Sequence, residues 1–290
     1  GTENTAVGSQ AMYNNTGNNN TAMGGTSLYA NTSGSENSAF GQGALYANTT
    51  ANFNSAFGKS ALGSNTTGAS NTGLGHGALI SNTTASNNTA VGFQAGYANT
   101  TGANNTAVGN SALRSNTTAI DNTAVGYLAL YTNTTGSYNT AIGLSALKSN
   151  TTASFNLAAG FEALRDNTTG TNNVALGGYQ ALIQNTTGNY NVAVGFAALK
   201  SNTTASHNTA VGYQAGFSNT TAAGNVFVGE NAGYFNTNQN NTFLGAGAGY
   251  FVTSGQKNTI LGRYNGNQNG LDLRTLDNNI VLSDGLGNVP

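Results

Sequence analysis

The 290-residue chain has no cysteine, no tryptophan and a single proline, and only 6 % of its residues are charged. Globular domains usually carry about a quarter charged residues, so ordinary enzyme architecture is disfavoured from the outset. Without cysteine there is no disulfide framework, thiolate metal site or catalytic thiol. Eight basic and nine acidic residues leave a net charge of −1, which gives no electrostatic footprint for nucleic acid or for an anionic membrane surface. No window approaches the roughly 18 consecutive apolar residues of a membrane span, and no charged-then-apolar leader is present. The start at Gly1, without an initiator Met, is what is expected of a processed product or a piece of something longer.

What is present is a repeat. The motif Asn-(Thr/Ser/Val)-Ala-(apolar)-Gly, with position two or three varied in five units, starts 16 times, at Asn4, Asn20, Asn37 and onward to Asn241 and Asn258; of the 15 spacings, 12 are 17 residues, two are 16 and one is 18. A full unit reads NTAVGYLALYTNTTGSY, Asn122 to Tyr138; positions are counted below from that Asn as one. The Gly at position five is present in every unit, including Gly8, Gly58, Gly92, Gly109, Gly126, Gly143, Gly195 and Gly212. A site that accepts only Gly while its neighbours vary needs a positive φ or a very close backbone approach, so these are assigned as structural turns. Position fifteen alternates between Gly and Ala, as in Gly102, Ala119, Gly136 and Ala153, so it does not demand positive φ.

Large apolar residues recur at position four (Val91, Val108, Val125, Ile142) and position nine (Leu113, Leu130, Leu147, Leu164). Two runs of about five residues, each closed by Gly or by Asn-Thr-Thr, are too short for helices and suit strands. One unit therefore reads as one coil: strand, Gly turn, strand, Asn-Thr-Thr turn. The 16- and 18-residue units are expected to absorb their length change in turns, leaving strand register intact. Near the end, position three grows to Phe227 and Phe243 while position nine shrinks to Gly233 and Gly249, so the two positions are expected to share one packed space.

Two large aliphatics per unit, worth roughly 1.5–3 kcal/mol apiece, face a backbone-ordering cost of about 1–2 kcal/mol per residue. That interior is thin. The many Ala, Gly and Ser residues are therefore expected to serve close contact between chains in a homotrimer, with a monomeric, tightly packed solenoid as the alternative.

The NTAVG…AL…NTTG unit resembles the head repeats of trimeric autotransporter adhesins, in which Ala-apolar-Gly motifs build a parallel β-roll. It resembles more closely the repeats of phage tail fibres and related bacterial surface fibres. The likeness spans residues 1–264, with a unit longer than that of the adhesin heads. It implies an all-β chain: a repetitive parallel β-solenoid or β-roll rod with one repeat per coil. It further implies a trimer, without cofactor, at an extracellular location on a virion tail fibre or a bacterial surface. The stretch Asp277-Asn278-Asn279-Ile280-Val281-Leu282-Ser283-Asp284-Gly285 resembles the segment that closes such fibres ahead of an endosialidase-type chaperone. Residues 265–290 are thus expected to be a closing segment.

No catalytic constellation is visible. His76 and His207 occupy unrelated repeat positions, and the acidic residues are dispersed, with no pair recurring as a glycosidase or calcium-loop array would require. Gly245-Ala246-Gly247-Ala248-Gly249 superficially matches a phosphate-cradling loop, but it falls in register with the repeat and lacks a βαβ setting. Eleven Asn-Thr-Thr triplets match the glycosylation sequon; stacked Asn and Thr side chains bonding from coil to coil explain them better. The Thr rows raise an alternative function, ordering of water or ice, although adjacent Thr residues point to opposite faces and leave one outward Thr per triplet. Position ten is the most varied apolar-or-charged site. It contains Tyr97, Arg114, Tyr131, Lys148, Arg165, Lys200 and Phe217, a candidate outward stripe for sugar rings and anionic cell-surface glycans; a plain solvated face is the competing reading. Fibre or baseplate subunits are the other expected partners.

Overall fold

The computed structural model describes residues 1–289, which fall into two compact units, 1–142 and 143–289. Each is a parallel β-solenoid, and no helix occurs among the described residues. The first unit contains β1 (Thr5–Val7), β2 (Thr21–Met23), β3 (Ser38–Phe40), β4 (Ser55–Phe57), β5 (Thr72–Leu74), β6 (Thr89–Val91), β7 (Thr106–Val108), β8 (Thr123–Val125) and β9 (Thr140–Ile142). The second contains β10 (Leu157–Phe161), β11 (Val174–Tyr179), β12 (Val192–Val194), β13 (Thr209–Val211), β14 (Val226–Val228), β15 (Thr242–Leu244) and β16 (Thr259–Leu261). It ends with the short pair β17 (Asn267–Gln268) and β18 (Leu271–Asp272), followed by β19 (Ile280–Leu282).

Within each unit the repeat strands pair in parallel with the next turn at identical repeat positions, such as Thr106↔Thr123 and Val192↔Thr209, while β17 and β18 form a separate antiparallel pair. The two 16-residue units keep that register, at Thr5↔Thr21 and Val226↔Thr242. The 18-residue unit keeps it too, at Val174↔Val192. Its extra residue, in the Gly177-Gly178 pair, is not taken up in a turn as expected: it forms an irregularity within β10 and β11, where Ala159 aligns with Leu176 but Phe161 with Tyr179.

The second strand expected in each coil does not form. Apart from the longer β10 and β11, only positions two to four are extended, and the Ala-Leu run at positions eight and nine lies in a turn. The cause is a repeated left-handed residue. In the turn from Asn105, Ser111, Leu113 and Asp121 (positions seven, nine and seventeen) have φ of 56°, 52° and 56°, which curls the chain round a corner. Such values lie inside the small left-handed basin open to L-residues at roughly 1–2 kcal/mol each. Hydrogen bonds between turns hold them there: the Leu113 N–H donates to the Ala129 carbonyl at 2.9 Å.

Position five differs in kind. Gly8, Gly58, Gly92, Gly109, Gly126, Gly143, Gly195 and Gly212 all have φ between +128° and +138°, outside that basin, and a Cβ on Gly109 would lie 2.4 Å from the Gly126 carbonyl oxygen. Both reasons for requiring Gly therefore hold.

The interior also departs from expectation. In a three-residue strand the middle side chain points one way and its neighbours the other; Ala at position three is inward, so position four faces out. Val7 is 54 % exposed and Ile142 45 %. The core consists instead of Ala90, Ala95, Ala124, Leu113, Leu130 and their equivalents, fully or almost fully buried. These Ala residues thus pack between turns of one chain. Late in the chain the predicted exchange of volume is present: a Cβ on Gly233 would lie 2.4 Å from the Phe227 ring, and one on Gly249 would lie 2.4 Å from the Phe243 ring.

Two amide ladders complete the interior. At position one, the Asn105 N–H donates to Asn88 Oδ1 at 2.8 Å and its Nδ2 to the Ala119 carbonyl at 2.8 Å. At position twelve, Asn99 Nδ2 donates to Asn82 Oδ1 and to the Gly102 carbonyl, both at 2.9 Å. A buried amide is costly only when unpaired, and stacking identical turns pairs these amides by one rule, broken at Asn219 and Asn236.

Candidate functional site

The position-ten residues form a half-buried column along the corner of each unit. In the first unit Tyr97, Arg114 and Tyr131 meet: the Arg114 guanidinium lies 5.1 Å from the Tyr97 ring centre and 5.8 Å from that of Tyr131. Its Nε donates to Gln94 Oε1 at 3.0 Å, and no carboxylate pairs with it among the described residues. This is a cation held between aromatic faces with its charge uncompensated.

In the second unit the same column is used differently. Arg165 donates to both oxygens of Asp166, at 2.7 and 2.9 Å, and to Glu162 at 3.0 Å. Asp166 first, then Glu162, raises its already high pKa further. The charge is therefore spent within the protein. Lys200 rests over Phe217, its Nζ 5.4 Å from the ring centre, and Lys148 is half-buried in the same column. Phe217 stacks on Tyr234 at 5.0 Å, and Tyr234 on Tyr250 at 5.2 Å. In such a ladder each ring covers its neighbour's face, so mainly edges are offered outward.

The triplet asparagines are buried in the position-twelve ladder, as in Asn82, Asn116 and Asn202, which leaves no accessible amide for glycosylation of the folded chain. The first Thr of a triplet donates to the next turn, as Thr100 Oγ1 does to the Thr117 carbonyl at 3.0 Å; the second is exposed, as expected. His76 and His207 are both exposed, stacked on Phe93 and Tyr190 at 5.5 and 5.1 Å. No group of three His, Cys, Asp or Glu able to hold a metal occurs among the described residues.

Two features escaped the sequence reading. The first is the outward strand face, positions two and four, which carries no charged residue in any turn. In the first unit it is a rank of Thr and Ser beside an apolar rank. Around β10 to β12 positions two and four are both apolar, and a third apolar column beside them is the stacked series Phe161, Tyr179, Phe196 and Tyr213, with centres 5.5, 5.1 and 5.2 Å apart. The signal was legible had position four been assigned outward. The second is a pocket of about 460 Å³ beside the β17–β18 hairpin, lined by Tyr250, Phe251, Arg263, Asn265, Gln268 and Leu286 among others. The closing turn breaks the repeat with clustered polar groups, and the spacing of 21 residues from Asn258 to Asn279 in place of 17 is its sign in the sequence. Comparison with family models, with curated proteins and with solved structures finds no match to this chain.

Proposed function

We propose that the chain is a non-catalytic segment of a trimeric tail fibre or bacterial surface fibre, exposed outside the cell and touching anionic glycans by repeated weak contacts. One observation carries this reading: the repeat satisfies its polar groups internally and leaves an outward sheet face without charge. That face can meet a second copy at no cost in buried ions, and a copy with the same repeat matches it turn for turn. The small residues, being internal, do not supply the contact, so self-association falls to positions two and four. The likeness to fibre repeats supports the same reading. For glycans, the Tyr97–Arg114–Tyr131 group is the part of the position-ten stripe with an unspent cation, and repetition over three chains adds avidity.

Sedimentation equilibrium tests the assembly: three times the 29.2 kDa chain mass is expected, and a single-chain mass at all concentrations rejects it. Glycan-array binding that survives the combined change of Tyr97, Arg114, Tyr131, Lys148 and Arg165 to Ser rejects the stripe.

A second reading, ordering of water or ice, is favoured by one observation: Thr5, Thr21, Ser38, Ser55, Thr72, Thr89, Thr106, Thr123 and Thr140 occupy the outward position two in every strand of the first unit. The hydroxyls repeat at the ~4.8 Å strand spacing. Thermal hysteresis abolished by Thr89→Tyr with Thr106→Tyr would select this reading over the fibre.

A further inference from the structure

After β16 the chain leaves the repeat. Tyr264 is fully buried and its hydroxyl donates to the Leu271 carbonyl at 2.5 Å, which pins the β17–β18 hairpin. The Phe251 N–H donates to the Asn265 carbonyl at 2.8 Å, so the turn that follows Tyr250 places Asn265, not a ring, in the aromatic column. Tyr250 is thus the end of the ladder: Tyr234 stacks on one side, no further ring stacks beyond it, and Tyr250 lines the pocket together with Phe251, which meets it edge-on at 4.8 Å. One face of Tyr250 is left without a stacked ring, as at the exposed stack ends Tyr13 and Tyr46 of the first unit, but here it borders a pocket.

The polar groups around it complement one another. Arg263 is exposed and makes no ion pair among the described residues. The nearby carboxylates are engaged elsewhere, Asp272 with Arg274 and Asp284 with Asn288. Asn265 Oδ1 accepts from the Asn267 N–H, leaving its amide NH₂ to donate; Gln268 Nε2 donates to the Leu286 carbonyl, leaving Oε1 to accept. An aromatic surface, an unspent guanidinium, one donor and one acceptor bordering an open hollow of about 460 Å³ suit a ring bearing hydroxyls and one anionic group.

We propose that this pocket binds an acidic saccharide. The sugar ring lies against Tyr250 and Phe251, its carboxylate or sulfate on Arg263, and its hydroxyls on Asn265 and Gln268. The site deepens the glycan-contact reading but does not share residues with the Tyr97–Arg114–Tyr131 group, so the two can fail separately.

Saturation-transfer NMR on the full chain tests it, with methyl glucuronide, a 6-sulfated N-acetylglucosamine, methyl glucoside and acetate as probes. One or both anionic sugars are expected to bind, and methyl glucoside and acetate are not. Arg263→Gln is expected to weaken binding ten-fold or more, Arg263→Lys less, and Lys59→Gln, at an exposed lysine outside both groups, not at all. The side chain is exposed, and an unchanged circular dichroism spectrum checks that the variant folds. Failure of both anionic sugars at millimolar concentration overturns the proposal, as does binding indifferent to Arg263→Gln. Acetate binding as tightly as the glucuronide overturns the ring contact. Whole-chain glycan binding that needs Arg114 but not Arg263 overturns the pocket while leaving the fibre reading intact.

Discussion

The turns of the first unit and the closing turn of the second are built from the same strand, yet they treat their polar groups in opposite ways. From β2 to β9, identical turns supply identical partners: each ladder amide finds a carbonyl or another amide, and the arginine of that stretch is boxed by aromatics. At the closing turn the period breaks, and unpartnered groups gather: the Arg263 guanidinium, the open side of Tyr250 and the exposed apolar residues Leu276, Ile280 and Leu286. A repeat satisfies its own chemistry, so reactivity toward other molecules concentrates where the repeat stops or where its outward face changes composition.

The sharpest way to break the regular turns is at position five. Gly92 has φ of +134°, and a Cβ there would lie 2.5 Å from the Gly109 carbonyl oxygen. Gly92→Ala therefore meets strain and a backbone clash together, and is expected to cost at least ~4 kcal/mol. Hydrogen exchange should show β5 to β7 unprotected; an unchanged exchange pattern would mean that the ladder yields at this point without cost. Position twelve comes next. Asn99→Ala removes the donor to Asn82 Oδ1 and the acceptor for Asn116 Nδ2 at 2.7 Å, leaving buried groups unpaired at roughly 1–3 kcal/mol each. A loss of about 3 kcal/mol is expected in chemical denaturation, with Asn99→Asp also destabilising because the acid cannot donate as the amide does.

The repeat, its parallel register and the Gly turns were legible in the sequence because each leaves a mark at one residue in seventeen. The corner was not. Leu at position nine looked like a strand residue, and nothing in its identity reveals a φ near 52°; only its exchange for Gly96, Gly216, Gly233 and Gly249 hinted at a left-handed backbone, and that exchange read first as packing. Position four misled for a related reason: an apolar side chain every 17 residues looks like core until the strand is known to be three residues long with Ala in its centre. The position-ten stripe was identified as a column, but a sequence does not show that Arg165 is neutralised by Glu162 and Asp166 while Arg114 is not. Arg263 was passed over because it lies outside that column.

A milder break lies inside the second unit. Asn219 Oδ1 and Asn236 Nδ2 are buried without partners, although Asn219 Nδ2 continues the ladder normally to Asn202 at 3.1 Å. The turn after Asn236 is one residue short, the Asn238 N–H takes Asn236 Oδ1 at 3.3 Å, and the column turns apolar at Val252 and Leu273. The amide is re-aimed and the two groups miss each other. Inserting one Thr after Thr237, with Asn238→Ala, restores the regular triplet turn and is expected to add about 1–2 kcal/mol. A destabilised insertion variant would show that the short turn is preferred for its own geometry.

The smallest effect separates the two regions by acid. Hydrogen bonding holds three exposed carboxylates of the closing segment below their usual range: Asp272 through the Arg274 side chain, Asp277 through the Gln256 N–H, and Asp284 through the Asn288 side chain. A carboxylate whose folded pKa is depressed contributes stability that is fully present above the unfolded value near ~3.9 and is lost as pH falls through the lower folded value. The amide ladders of the first unit contain no group that titrates in this range. Acidification from neutrality to below the ordinary carboxylate range is therefore expected to loosen β19 and the 284–288 loop, which carries Leu286 into the acidic-sugar pocket, while β6 to β8 stay protected. Amide chemical shifts followed by NMR across that range check this, and the double change Asp277→Asn and Asp284→Asn should flatten the response of the closing segment. Loosening that spreads equally through both units would show that the carboxylates do not distinguish the closing turn from the repeat.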